Sequence, residues 1–308
     1  MTHPVPARFA ATIAEVYGAA GVTWVADLPA LIAAIAARWS LQVGPPFPNL
    51  SYNYVAPATR ADGLPVVLKL GVPNPELSSE AAALRWYAGA GAVRLLDDDP
   101  AKGALLLERL QPGAPLLDLA DDAAATAIAA EVMRALWRPP PAQHSFRSVA
   151  SWAAGLDRLR AQFGGGTGPL PAPLVARAEA LFAGLLGSMA APVLLHGDLH
   201  HENILRAERA PWLALDPKGV VGEPAYEIGA FLRNPIERVL NAADPAGLTA
   251  RRIAQFAEML GLDAARIRDW ALAQAVLSAW WSVEDHGHGW EPAIAFAEVL
   301  SRLSPHYP

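Results

Sequence analysis

Cysteine is absent from the 308 residues, which excludes disulfides, thiolate catalysis and cysteine-ligated zinc or iron–sulfur centres. Charge is also sparse: charged residues make up 18% of the chain against 53% hydrophobic, the inverse of the balance in a disordered segment. Positive charge is in deficit, with 24 Lys plus Arg against 30 Asp plus Glu and a formal net charge of -6. The basic stripe of a nucleic-acid binder is therefore not expected. No uninterrupted apolar run reaches the ~18 residues of a membrane helix, and the longest such stretch, 270–281, is broken by Gln274 and Ser278. The first residues show no basic segment followed by an apolar one, so no signal peptide is expected. Composition thus predicts a soluble, cytoplasmic protein without membrane or nucleic-acid partners. The chain is long enough for two domains of roughly 100–200 residues whose cores need no covalent staple.

What is present changes along the chain. The first forty residues carry helical periodicity in two pieces, RFAATIAEVYGAAG and DLPALIAAIAARWS, with Asp27 expected as N-cap and Pro29 in the first turn of the second. VGPPFPNL then forbids regular helix. Strands are expected near 52–58 and 64–70, joined by ADG as a hairpin, and a helix near 76–88. AVRLLDDD and GALLLERL supply two further strands around an acidic turn. Beyond QPGAPL helices dominate, near 119–137, 146–163 and 174–189, with later ones ending in 291–304. Three short apolar pieces, PVLLHGD, NILRA and WLALDP, interrupt them. The pattern predicts an α+β fold: a smaller lobe over 1–110 holding a β-sheet, and a larger, mainly helical lobe over 111–308 with a small β island.

The densest chemistry is HGDLHHEN at 196–203, followed by Asp216 at the end of WLALD. If the strand before the cluster and the strand ending at Asp216 are antiparallel neighbours, Asp198, Asn203 and Asp216 surround one cleft. Two carboxylates and an amide oxygen are hard-cation ligands, suited to Mg²⁺ when phosphate oxygens complete the octahedron. His196, His200 and His201 leave a zinc reading open, although HGDLHH lacks the spacing of a zinc-protease helix. The second feature is Lys69, alone in the apolar strand VVLKL. An ammonium there needs an anion or a route to solvent. Glu80, eleven residues on, is the candidate partner, and a lysine so held can present its remaining donors to phosphate.

HGDLHHEN, the LD ending in Asp216, and the upstream Lys69 and Glu80 together resemble the aminoglycoside phosphotransferase superfamily, with its protein-kinase-like two-lobe fold. SYNYVAP, VVLKL, LLLERL and WLALDPKGVVGEPAYEIGAFLRNP look most like its streptomycin kinase and hydroxyurea kinase family, over roughly residues 8 to 305. The resemblance implies ATP and Mg²⁺ as cofactors. It also implies Asp198 as the catalytic aspartate, Asn203 and Asp216 as metal ligands, and Lys69 on the phosphates with Glu80 orienting it. Glu108, Arg109 and Leu110 would form the hinge whose backbone bonds adenine. His196 would be structural, and Lys218, two residues beyond Asp216, would either steady phosphate or pair with a nearby acid. The glycine-rich phosphate loop of protein kinases is missing from PNLSYNYVAP, so Ser51 and Asn53 are expected to take its place. DPK stands where protein kinases have DFG, so no activation-loop switch is implied.

For the acceptor, the late helix offers Trp281 with Asp285 and Trp280 with Glu284, each pair four residues apart on one face. Such a wall suits a cationic small molecule such as an aminoglycoside. Glu223 and Glu227 are further candidates, unless GEPAYEIG is structural. The expected activity is transfer of the ATP γ-phosphate to a hydroxyl of an aminoglycoside-like or other small acceptor, by a monomer or homodimer. The alternatives are a nucleotide-binding sensor or scaffold and a metal-dependent hydrolase.

Overall fold

The structure is a computed structural model and describes residues 4–189 and 191–303. The chain divides into two compact units, Met1–Gly113 and Ala114–Pro308.

The first unit is a five-stranded antiparallel sheet with two helical segments. Strand order is Leu41–Val43, Tyr54–Arg60, Pro65–Leu70, Ala104–Glu108, Leu95–Asp99. Pro65–Leu70 is central, with burial of Val66, Leu68 and Leu70 on one face, and its hairpin partner Tyr54–Arg60 turns through Gly63 at φ 83°. The helix Pro75–Tyr87 is capped by Asn74, whose side chain accepts from the Leu77 N–H. Its last turn closes on Ala88 in the left-handed conformation.

The N-terminal helical region keeps the expected two pieces but moves the junction between them to Gly18. Helix runs over Ala7–Trp39 with a single break at Gly18, at φ 57° and ψ -137°. It continues through Asp27 and Pro29, so neither marks a helix start. Phe9, Ile13, Leu28, Ile32 and Ile35 pack with Tyr54, Ala56, Leu68, Leu70 and Ala104 in one core. Burial of five large side chains, roughly 1.5–3 kcal/mol each, outweighs the roughly 3 kcal/mol of an interior proline. By length and composition this helix is apolar enough to cross a membrane, with a window hydropathy of 1.7, a property that a search for uninterrupted apolar runs overlooks.

The second unit is mainly helical. Asp122–Leu136, capped by Asp121, lies where helix 119–137 is expected. The span 146–163 instead forms two short helices, Val149–Ala153 and Gly155–Gln162. Gly155 lies so close to Leu277 that a Cβ would come within 2.8 Å of it. Ala172–Gly187, Pro224–Arg233, Pro245–Leu260, Ala264–His286 and Glu291–Arg302 follow. Ser304, the expected end of the last helix, lies outside the described residues. Ala264–His286 is the central rod, with Trp270, Leu272, Val276, Leu277 and Trp280 fully buried.

The β island departs from the pairing considered from sequence. Ile204–Ala207 forms a hairpin with Trp212–Ala214. Val193–Leu195 pairs instead with Val220–Gly222, which also pairs, in parallel, with Arg147–Ser148. Asp198 and Asp216 are thus brought near one another by the loops between these strands, not by neighbouring strand ends.

Candidate active site

In the first unit, the Lys69 ammonium meets the Glu80 carboxylate at 2.8 and 2.7 Å from its two oxygens. Lysine is 2% exposed and Glu80 6%, so each charge is compensated by the other where water is scarce. The strand sets the lysine's direction, and the Asn74-capped helix brings the carboxylate to it. Ser51 is exposed. Asn53 packs its Oδ1 against Gly71, where an added Cβ would stand 2.3 Å away. Glu108 ends its strand, and its Oε2 accepts from the Arg94 backbone N–H at 3.2 Å. Leu110 follows two residues on, half-buried.

In the second unit the loop 196–203 is held from several sides. His196 is buried and its Nε2 donates to the Leu215 carbonyl at 2.7 Å, while its Nδ1 accepts from the Asp198 N–H at 3.3 Å. Burial pushes its imidazole down to about 4, so the ring is neutral at pH 7 and acts as a staple. Below the loop, the fully buried Glu227 accepts from the His196 N–H at 2.6 Å and the Gly197 N–H at 2.8 Å. Burial raises its carboxyl strongly and the two amides pull it part of the way back, leaving it pushed up to about 7. Gly197 has φ 88°, and a Cβ would come within 2.9 Å of Trp152. Only glycine fits that turn without strain.

The candidate chemical groups emerge from this frame. Asn203 donates its amide to the Asp198 carbonyl at 2.9 Å, and its backbone carbonyl accepts from Leu215 at 3.0 Å. Asp216 follows with φ 59°, a costly conformation for a residue with a Cβ, of the kind that collects at functional sites. The Lys218 N–H donates to the His196 carbonyl at 2.7 Å, tying the two loops together. His200 Nε2 is 3.9 Å from the Asp198 carboxylate. His201 instead turns inward and stacks on Phe231 at 4.0 Å. Its imidazole is pushed down to about 3 by burial and then by Arg252.

With the Asn203 amide nitrogen committed to the loop, its Oδ1 is the atom that remains to act as a ligand, alongside the Asp216 carboxylate. Among the described residues no group of three or more His, Asp or Glu forms a metal cage. One carboxylate and one amide oxygen fit a magnesium ion completed by phosphate oxygens and water, and do not build the closed zinc site left open by the three histidines.

The acceptor candidates separate. Trp280 is fully buried, and Glu284 is held by Arg158 in a two-point ion pair at 2.6 and 2.8 Å. Arg158 also feels the charge of Asp285. Trp281 is half-buried and meets Trp152 edge-on, with centroids 5.4 Å apart. Since Trp152 also packs on Gly197, Trp281 belongs to an aromatic wall that reaches the Asp198 loop. Buried Glu223 forms a two-point ion pair with the partly exposed Arg266, so it and Glu227 are internal braces rather than surface ligands.

Trp152 was missed as a site residue, and Glu227, a candidate for the acceptor, instead braces the loop. One signal was available for Glu227: it is the lone charge within AYEIGAFL, every residue of which is buried.

A sheet-bearing unit with a buried Lys–Glu pair and a helical unit carrying HGDxxxxN and a following Asp define a protein-kinase-like phosphotransferase. The chain belongs to the aminoglycoside/hydroxyurea antibiotic resistance kinase family, whose model matches residues 38–286. It is 33% identical over 307 residues to streptomycin 6-kinase of Streptomyces glaucescens, covering 96% of each chain. It is 35% identical over 298 residues to hydroxyurea phosphotransferase of Kitasatospora aureofaciens, covering 96% of this chain and 85% of the relative. In fold it is similar to aminoglycoside phosphotransferase APH(4)-Ia, solved as a ternary complex with ADP and hygromycin B. That likeness has a TM-score of 0.62 at 15% identity and covers 87% of this chain and 96% of the other.

Proposed function

We propose that this phosphotransferase moves the γ-phosphate of ATP, with Mg²⁺, to a hydroxyl of a small molecule that is aminoglycoside-like or otherwise hydroxylated. The observation that carries the reading is the shaped loop 196–203. There Asp198, Asn203 and Asp216 stand on backbone held by His196 and Glu227. Phosphoryl transfer asks for alignment and charge neutralisation more than for covalent chemistry. Magnesium held by Asn203 Oδ1 and Asp216 would neutralise charge on the nucleotide phosphates.

The chain's own groups do the rest. Lys69, oriented by Glu80, contacts the α- and β-phosphates. The backbone at Glu108–Leu110 bonds the adenine, and Ser51 and Asn53 cover the phosphates. Asp198 orients the acceptor hydroxyl and takes its proton as the new P–O bond forms and the bond to ADP breaks. Neutral His196 keeps the loop shape without competing for that proton. Trp281 and Asp285 contribute to the acceptor wall, with Glu284 reserved for Arg158. The first unit serves the nucleotide and the second the acceptor, in a cytoplasmic monomer or homodimer. A sensor or scaffold is not favoured, because nucleotide binding alone has no use for a held Asp198.

The test is Mg²⁺-dependent transfer of labelled γ-phosphate across streptomycin, other aminoglycosides, hydroxyurea and simple amino sugars, with Asp198→Asn alongside. Transfer lost in the variant, with ATP binding retained, supports the reading. ATP binding without transfer to any acceptor defeats it.

A further inference from the structure

Buried carboxylates elsewhere in the chain are met by cations, Glu80 by Lys69 and Glu223 by Arg266. Glu227 is not. It is fully buried, and two consecutive amides of the neighbouring loop hold it. The His196 N–H donates to one of its oxygens at 2.6 Å, and the Gly197 N–H to the other at 2.8 Å. Asp198 is the next residue. A carboxylate accepts on both oxygens at once, whereas a protonated carboxyl turns one of them into a donor. Protonated Glu227 can therefore serve one of these amides and faces the other with a hydroxyl. A buried amide that loses its acceptor is costly, so the loop must shift to relieve it.

The groups around Glu227 leave that balance to the two amides. On the loop, the His196 ring is neutral and bound to the Leu215 carbonyl, and His200 lies 3.9 Å from the Asp198 carboxylate. Asp198 is a like charge that further disfavours the Glu227 carboxylate. Lys218 reaches the loop through its backbone, donating to the His196 carbonyl. On the helix of Glu227 itself, burial raises the Tyr226 phenol and keeps it neutral, and Arg233 ends the helix. Trp137, at the end of Asp122–Leu136, favours the carboxylate as a neutral and weaker donor. Ala264–His286 meets this helix at Gly229 through uncharged Ala271 and Gln274. Arg252 and Arg266 are engaged by Asp122 and Glu223. Burial and the amides thus pull in opposite directions, and the carboxyl is pushed up to about 7.

We propose that Glu227 is a proton-operated brace of the catalytic loop: as a carboxylate it holds the His196 and Gly197 amides and with them Asp198 in its working place, and on taking up a proton it releases one amide and turnover falls. The inference rests on the phosphotransferase reading above and adds a regulation to it. The brace's proton takes no part in transfer, since the acceptor hydroxyl still gives its own proton to Asp198. The working form is the one that burial disfavours. Activity therefore rises with pH through the window in which the stability contributed by this group falls.

The test follows turnover and loop structure from about pH 5.5 to 8.5. The acceptor is streptomycin or hydroxyurea, whichever is phosphorylated faster, with saturating ATP and Mg²⁺. Wild-type kcat is expected to climb about 10-fold per pH unit below a midpoint near 7 and to level above it. The ¹H–¹⁵N signal of the Gly197 amide should move with the same midpoint. In Glu227→Gln, kcat is expected to stay flat over this range, about 10-fold or more below the wild-type plateau, with ATP affinity kept. The same limb in the glutamine variant would belong to His200 or to the nucleotide, and overturns the proposal. So does a Gly197 signal that stays fixed in the wild type, a reading that needs no variant to fold. Failure of the underlying reading looks different: the Gly197 amide still titrates, but the wild type transfers no γ-phosphate at any pH.

Discussion

Glu80 and Glu227 are buried glutamates on helices, one in each unit, and they are compensated in opposite ways. Glu80 faces a full charge, the Lys69 ammonium, at both of its oxygens. Glu227 has no cation against it and accepts from neutral donors, chiefly the backbone N–H groups of His196 and Gly197. A full opposite charge favours the carboxylate form more than neutral donors do, and with neutral donors alone the Glu227 carboxyl is pushed up to about 7 by burial. The first arrangement holds a side chain ready for a ligand. The second shapes a loop, and through the loop it positions Asp198.

Asp198→Asn sets the scale against which both supports are judged. Turnover is expected to fall about 10²–10⁴-fold, the usual worth of a positioned base, with ATP affinity kept, as read by ADP release and by titration. Glu80→Ala strands the Lys69 charge in the core and should cost about 3–5 kcal/mol in urea unfolding. The double change Lys69→Met with Glu80→Leu should regain most of that stability and none of the activity. If the double variant is as unstable as the single one, the pair is not the source of the loss.

Glu227→Gln probes the other side. Its amide group can accept from one backbone N–H and opposes the second, for an expected loss of about 1–3 kcal/mol at pH 8. The pH dependence follows from the raised carboxyl. Between the ordinary glutamate value of 4.5 and about 7, the folded chain keeps a proton that the unfolded chain has released. Wild-type stability from this group therefore falls as pH rises through that window, by roughly 3 kcal/mol, and is level above it. The glutamine variant lacks that slope, and identical pH profiles for the two proteins would refute the assignment. Arg158→Ala, which removes the largely exposed partner of Glu284, is expected to change stability by less than about 1 kcal/mol. Thermal melts of the variant and wild type check that smallest effect.

How much could be read from the chain follows from distance along it. Lys69 was legible because a lone charge in VVLKL is anomalous without any partner in view, and Glu80 lies one helix away. HGDLHHEN was legible because its functional atoms are crowded into eight positions. The Glu227 contact with His196 spans 31 residues, and Trp152 meets Trp281 from a helix far back along the chain. No local pattern encodes either. Capping signals misled at Asp27 and Pro29 because burial of the N-terminal helix against its sheet outweighs them. The strand Leu41–Val43 was missed because three residues ahead of a proline run carry too little alternation. The two halves of 146–163 were joined because Gly155, read locally, does not reveal the nearby Leu277.

The placement of Val220–Gly222 has a consequence for biosynthesis. That strand lies between Val193–Leu195 and Arg147–Ser148, and the helix after it delivers Glu227 beneath a loop already made. A nascent chain that has just exposed HGDLHHEN holds every residue of the motif but lacks Leu215, Val220–Gly222 and Glu227, which hold it in shape. Since domains are completed as the ribosome delivers their last elements, Asp198 acquires its working position only after residue 227 has emerged. A chain ended before that point would carry the full signature of the enzyme without its catalytic loop in place.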